Sequence, residues 1–336
     1  MKASKSSVWG SARRWLPGLF LSLIALGLLL RLTDWREVAQ AFTVMDLRWL
    51  PVALVSYLVS MWLRAFAWRT LLRQKASPGR VFLALNQGYL LNNILPFRLG
   101  EVGRAFLLGK AARLSPLYVL PTILIERIYD LAIAAGLLLG TLPLVIGVEA
   151  ARPAALIVLS LVALSLLVLF LAARHQQHLG TWLERVAGRW EPIRRAVLPR
   201  LSTLLEGLSA LTTPADFFFS VTFLFGSWLF GAVEIHVLLN SGAFSAPFWW
   251  TGFVLGVLSL GIALPSAPAA LGVYEAAFVG ALSILGVPVG EGLAYAIVVH
   301  LIHISVTGLI GAYGLLRDGE TISGFLNQVQ GTQSEI

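Results

Sequence analysis

Asn92-Asn93-Ile94-Leu95-Pro96-Phe97-Arg98-Leu99-Gly100-Glu101-Val102-Gly103-Arg104 is the stretch on which the fold turns. It sets two amides, two arginines, a carboxylate, a proline and two glycines between long apolar runs. The apolar portion before it, Val81 to Leu95, is about 15 residues, and a helix needs about 20 to cross a bilayer. Pro96 has no amide hydrogen to donate and disfavours helix at the residue before it. Arg98, Glu101 and Arg104 follow at once, and Lys110 and Arg113 return to a basic flank. The economical reading is a helical hairpin that enters and leaves on the same side. Non-helical backbone at membrane depth is tolerated only when buried in protein or lining a wet cavity.

The rest of the chain supports a membrane setting. Of 336 residues, 57% are hydrophobic and 12% are charged, and the mean hydropathy is +0.81. Such values predict a polytopic membrane protein with one membrane domain. There is no cysteine, which excludes disulfides, thiolate metal ligands and a thiol nucleophile. The net charge of +8 fits cytoplasmic arginines and anionic lipid heads rather than nucleic acid.

Six full spans are predicted: Trp15–Leu30, Leu47–Leu72, Tyr118–Ile146, Pro153–Ala173, Phe217–Leu239 and Ala294–Leu316. Residues 1–14 form a basic tail, 15–318 the membrane domain and 319–336 a C-terminal tail. Basic residues before the first span and Arg317 after the last place both termini in the cytoplasm of a cell with an inner membrane. The near-balanced charges from Asp34 to Arg48 read as an outer loop, and Arg64, Arg69, Arg73, Lys75 and Arg80 as an inner flank. The linker from 175 to 213 is basic. Ile193, Val197, Leu201, Leu204, Leu208 and Leu211 recur there at helical spacing, so it holds an amphipathic helix along the inner interface.

Between Ile235 and Gly290 the only Asp, Glu, Lys or Arg is Glu275, and Pro265, Pro268 and Gly272 interrupt the run. This predicts a second re-entrant hairpin, from the outer face. Pro96-x-x-x-Gly100-Glu101 is matched by Pro268-x-x-x-Gly272-x-x-Glu275. The fold class is thus all-α and polytopic: about six full spans plus two re-entrant hairpins of opposite orientation, arranged as an inverted repeat. Paired interrupted segments are the sequence pointer to a transport site near the midplane.

These segments, with Glu126-Arg127-x-x-Asp130 and Leu264-Pro265-x-x-Pro268-x-x-x-Gly272-Val273-x-Glu275, resemble the signature segments of the lysylphosphatidylglycerol synthase transmembrane region. That flippase-like family spans bacterial and archaeal membrane proteins. The resemblance covers roughly residues 15 to 318 and implies movement of lipid between leaflets. Long members add a soluble aminoacyl-transferase domain, and a chain of this length is expected to be a short form without it. One departure is clear: the family's second motif usually reads Pro-Gly-Gly-x-Gly, and here Ala269 and Ala270 follow Pro268. A stiffer tip is expected.

The candidate substrate-binding residues are Arg98, Arg104, Glu101, Asn92, Asn93, Glu126, Arg127, Asp130 and Glu275. Pro96, Gly100, Gly103, Pro265, Pro268 and Gly272 shape the hairpin backbones. Arg98 and Arg104 offer planar forks for a lipid phosphate, or else bind any anionic lipid at the interface. Glu101 is expected to position an arginine. Glu126 and Asp130 share a helix face, and Arg127 lies three residues before Asp130; they form either a structural ion-pair cluster or part of a polar site. Asn92 and Asn93 either ligate a headgroup or satisfy broken backbone. Glu275 pairs with Arg98 or Arg127, carries a coupling proton, or caps a half-helix while hydrogen-bonded. His300, His303, Glu234 and His236 lack a complete metal-ligand pattern and read as polar contacts between helices.

No cofactor and no metal is expected. Neither a nucleophile elbow nor a nucleotide-binding glycine loop occurs, so the chain reads as a non-enzyme. The expected partners are membrane lipids, an anionic phospholipid or a polyprenyl phosphate; the oligomeric state stays open. The alternatives are a membrane enzyme acting on a lipid phosphate or isoprenoid, and a non-transporting scaffold for envelope lipid synthesis.

Overall fold

A computed structural model of the chain describes residues 5–95, 98–146, 148–175, 178, 181, 198–242, 245–264 and 266–321. Pro96, Pro265, most of the 175–213 linker and the tail beyond Thr321 lie outside them. The described residues are helical, with no strand among them. The helices are α1 (Lys5–Leu32), α2 (Trp35–Val44), α3 (Leu50–Leu71), α4 (Pro78–Ile94), α5 (Leu99–Ala112), α6 (Pro116–Ile146), α7 (Val148–Arg174), α8 (Leu198–Gly207), α9 (Pro214–Leu239), α10 (Phe248–Ala263), α11 (Val273–Ile284) and α12 (Val289–Asp318).

Four segments are long and apolar enough to cross a membrane: Leu47–Leu71, Pro116–Ile146, Pro214–Leu239 and Val289–Asp318. A fifth arises if α1 and α2, bent by 83° at their junction, count as one span. Large apolar side chains such as Leu164, Phe218, Leu301, Leu309 and Leu316 face outward, as the lipid-facing surface of a multi-pass protein requires.

The chain from Asp34 to Val44 is a helix, not the loop its mixed charges suggested. Asp34 caps it by accepting from Arg36 N at 2.9 Å. Val38 and Ala41 are buried on one face, and Glu37 reaches across to accept from Gly290 N at 3.1 Å. A carboxylate therefore sits at the N-terminus of α12, where the helix dipole favours it. Prolines at the first turns of α3, α4 and α9 fall where the missing amide hydrogen costs nothing.

Packing is reciprocal between the two halves. α3 lies along α9 in antiparallel sense, because contact partners fall in number on α9 as they rise on α3: Ser60 hydrogen-bonds Ser227, Phe66 meets Phe223 and Arg73 approaches Asp216. α4 packs on α12, and α10 packs on α6. Trp68, Phe278 and Tyr295 are among the largest fully buried side chains of the core.

α4 and α5 fold back on each other as a helical hairpin. Gly88 and Gly100 permit the approach: a Cβ on Gly88 would lie 2.9 Å from the Arg104 Cβ. Leu95 leaves the helix in an extended conformation and Arg98 is left-handed, φ 53°. α10 and α11 form the second hairpin. A Cβ on Gly261 would lie 2.6 Å from that of Ala277. Its tip rests on α1, where Ser22 Oγ accepts from Ala267 N at 2.9 Å.

Ala269 and Ala270 both have positive φ, 55° and 54°. A Cβ disfavours that region and glycine does not. The two alanines thus hold at some cost the turn that paired glycines adopt freely. Replacing either by glycine is expected to add about 1 kcal/mol of stability, seen as a raised thermal unfolding midpoint in detergent.

Candidate functional site

The first hairpin and the α3–α6 pair bring most of the predicted polar residues into one network. Arg64, in the C-terminal half of α3, donates from Nη1 to Glu126 Oε1 and Asp130 Oδ2, and from Nη2 to Asp130 Oδ1, each at 2.9 Å. Arg127 donates from Nη2 to Glu126 Oε1 at 2.8 Å and lies 3.2 Å from Asp130 Oδ2. Its Nη1 is 3.7 Å from Glu101 Oε1, and Arg98 Nη1 approaches the same oxygen at 3.8 Å. Trp228 of α9 donates from Nε1 to Asp130 Oδ1 at 2.9 Å.

Arg104 stands at the closed end. Its side chain is 3% exposed and that of Glu126 is 0%. The guanidinium lies over the Trp68 ring, 4.6 Å from the centroid, within cation–π range. Its Nη2 is 3.0 Å from Glu126 Oε2, yet the angles do not make a hydrogen bond. Nε, Nη1 and Nη2 of Arg104 all lack a hydrogen-bond partner. From this end the network opens outward to Arg98, whose side chain is 41% exposed. Four guanidinium groups (Arg64, Arg98, Arg104, Arg127) share three carboxylates (Glu101, Glu126, Asp130), a surplus of one positive charge.

Several predicted roles change. Arg64 belongs to this buried network and not to an inner basic flank; its only signal in one dimension is an arginine inside an apolar run. Glu101 touches two arginines, as a positioning carboxylate should. Asn92 closes the first hairpin, its Oδ1 accepting from Gly100 N at 2.8 Å, so its carbonyl oxygen satisfies broken backbone. Asn93 donates to Thr307 Oγ1 at 3.2 Å and ties the hairpin to α12. Arg98 donates to Ile262 O at 2.8 Å. It thereby satisfies a carbonyl in the last turn of α10 and joins the two hairpins. Gly103 is buried in α5.

Glu275 does not join the arginines. Its Oε2 accepts from Gly272 N at 2.7 Å and its Oε1 faces His300 Nδ1 at 2.6 Å, so from the third position of α11 it satisfies the amide of the N-cap Gly272 and holds an imidazole partner. Glu234 faces His303 Nε2 at 3.1 Å. Among the described residues no group of three or more His, Cys, Asp or Glu is placed to hold a metal ion.

Comparison with curated proteins returned no match, nor did comparison with solved structures. The sequence model of one family does match, and it ties this multi-pass membrane protein to lipid metabolism or translocation. The match runs over residues 15–311, and the chain belongs to the family of the lysylphosphatidylglycerol synthase TM region.

Proposed function

We propose that this protein is a lipid translocase, moving a phospholipid or polyprenyl-phosphate lipid between the leaflets of the cytoplasmic membrane, with both termini inside. The observation that carries the reading is Arg104: a buried guanidinium with no hydrogen-bonded N–H, inside a cluster one positive charge in surplus. Such groups are costly unless a partner arrives, and a phosphate monoester or diester supplies both charge and acceptors. Arg98, Glu101 and Arg127 form the accessible edge where a headgroup first docks.

The hairpin geometry supports a re-entrant arrangement. The 17 residues of α4 span about 26 Å at 1.5 Å per residue, short of the roughly 30 Å hydrocarbon core; α5, α10 and α11 are shorter still. Reciprocal packing supports an inverted repeat. An in-plane two-fold axis that relates α3 to α9 requires them to run antiparallel, and it exchanges the α4–α12 contact with the α10–α6 contact. Glu101 is then the third residue of α5 and Glu275 the third of α11. Transport suits the cluster better than catalysis does, because Glu126 and Asp130 are each held by at least two arginines and make poor general bases.

The test is exchange of headgroups in liposomes carrying the purified protein, followed with a membrane-impermeant reagent. Wild type is expected to speed exchange of the phosphate-bearing lipid it carries. Arg104→Gln is expected to slow it roughly 10- to 100-fold, the equivalent of one charge-assisted hydrogen bond of about 1.5–3 kcal/mol. Its unfolding midpoint should be unchanged or higher, because the surplus charge is gone. Wild-type exchange by Arg104→Gln would remove Arg104 from the site. Failure of the wild type to speed exchange of any phospholipid or polyprenyl phosphate would count against translocation.

A further inference from the structure

The second half of the molecule holds a separate buried polar cluster that the arginine site does not use. His300 Nδ1 lies 2.6 Å from Glu275 Oε1, and His303 Nε2 lies 3.1 Å from both oxygens of Glu234. Tyr274 links the two pairs: its ring stacks on His300 at 3.9 Å, and its hydroxyl is 3.4 Å from His303 Nδ1. Tyr57 of α3 stacks on the other face of the arrangement, against His303 at 4.3 Å. Glu234 and His300 are buried.

This cluster stands where the repeat would place a counterpart of the arginine site. Arg64 precedes the start of α4, Pro78, by 14 residues, and Glu234 precedes the start of α10, Phe248, by 14. Glu126 is the eleventh residue of α6 and His300 the twelfth of α12. The two sites differ in chemistry. The first is rich in groups that stay charged at every physiological pH. The second consists of carboxylates, imidazoles and phenols, each able to gain or lose a proton. The ionisable groups around it are Tyr57 and Arg64 on α3, Tyr89 on α4, Glu234 on α9, Tyr274 and Glu275 on α11, and His300 and His303 on α12. Helix α10, packed on α11, has no ionisable side chain.

We infer that the Glu234–His303 and Glu275–His300 pairs form a proton-binding site that couples a proton gradient to lipid movement. The inference rests on the translocase reading for its coupling and on geometry alone for the proton site. Each pair holds one proton between a carboxylate oxygen and an imidazole nitrogen. Loss of a proton from the Glu275–His300 pair turns an imidazolium–carboxylate ion pair into a hydrogen bond from a neutral imidazole, and so weakens the link between the tip of the second hairpin and α12. The path back to the first hairpin is short: Thr307 Oγ1 donates to His303 O at 2.7 Å and accepts from Asn93 at 3.2 Å.

Two measurements on the reconstituted full chain test this. The first is pH-difference infrared spectroscopy across the histidine range of about pH 5 to 8. Wild type is expected to show carboxyl and imidazole bands that Glu234→Gln removes in part and Glu275→Gln in another part. Spectra in which neither variant changes any pH-dependent band would overturn the proton site. The second imposes a pH gradient on the liposomes. One proton moved with each lipid sustains about a tenfold lipid asymmetry per pH unit; Glu234→Gln and His303→Gln are expected to abolish it while exchange without a gradient persists. An asymmetry indifferent to the gradient, with the infrared bands present, would overturn the coupling. Normal bands with no exchange of any lipid would keep the proton site and sink the lipid reading instead.

Discussion

Arg64→Ala is expected to destabilise the protein by about 3–5 kcal/mol, the cost of breaking a buried ion pair from one side. Three hydrogen bonds at 2.9 Å to Glu126 and Asp130 disappear together. Glu126 keeps Arg104 and Arg127 nearby, so the burden falls on Asp130, which is left with Arg127 at 3.2 Å and the Trp228 indole. The loss is read as a lowered unfolding midpoint and lowered yield in detergent. The double variant Arg64→Ala, Asp130→Ala removes the stranded charge. Its destabilisation should therefore be smaller than the two single effects added, with a coupling of about 0.5–3 kcal/mol. If Arg64→Ala unfolds within 1 kcal/mol of wild type (about 5-fold or less in the folding equilibrium), the network is not what holds α3 to α6.

Arg64 also marks the boundary of what a one-dimensional reading can reach. Four of the six span positions were legible because they rest on length and hydropathy: Leu47–Leu72 was predicted and Leu47–Leu71 forms, and Tyr118–Ile146 lies within Pro116–Ile146. The hairpin break was legible because Pro96 and the charges after it leave too few apolar residues to cross. The grouping of Glu126, Arg127 and Asp130 was legible because helical spacing puts them on neighbouring faces. Spacing says which face a residue takes, and nothing about which helix covers that face. Arg64 opens a run of basic residues and so resembled an inner flank, while its side chain turns inward to α6. Glu275 and His300 are 25 positions apart on separate helices, and no local pattern joins them. Helix α2 escaped because ten residues of mixed charge match neither a span nor an apolar core helix; it earns its fold from Val38 and Ala41 against the bundle and from its two end contacts.

Gly100→Ala is expected to be nearly as damaging as Arg64→Ala, and for a reason that is purely steric. Gly100 has an ordinary helical place in α5, so its conformation is open to alanine. Space is the constraint. An added Cβ would overlap the Gly88 carbonyl oxygen, lie 2.6 Å from Asn92 Oδ1 and stand 2.8 Å from Asn92 N. Two of these three atoms are backbone of α4, which cannot rotate aside, and the third accepts the Gly100 N–H that Asn92 caps. Relief requires α5 to move off α4. That gives up the cap, worth about 1 kcal/mol, on top of an overpacking cost of about 1–3 kcal/mol. The same movement carries Glu101 and Arg104, one and four residues further along α5, away from Arg127 and Glu126. Stability and transport should therefore fall together in Gly100→Ala, in contrast to Arg104→Gln, where transport falls and stability does not. Asn92→Ala separates the two contributions: it deletes the cap without adding bulk, and its loss should stay near the cap term alone. A Gly100→Ala protein with a wild-type unfolding midpoint and wild-type exchange would mean that the close contact of α4 and α5 is not what positions the arginine site.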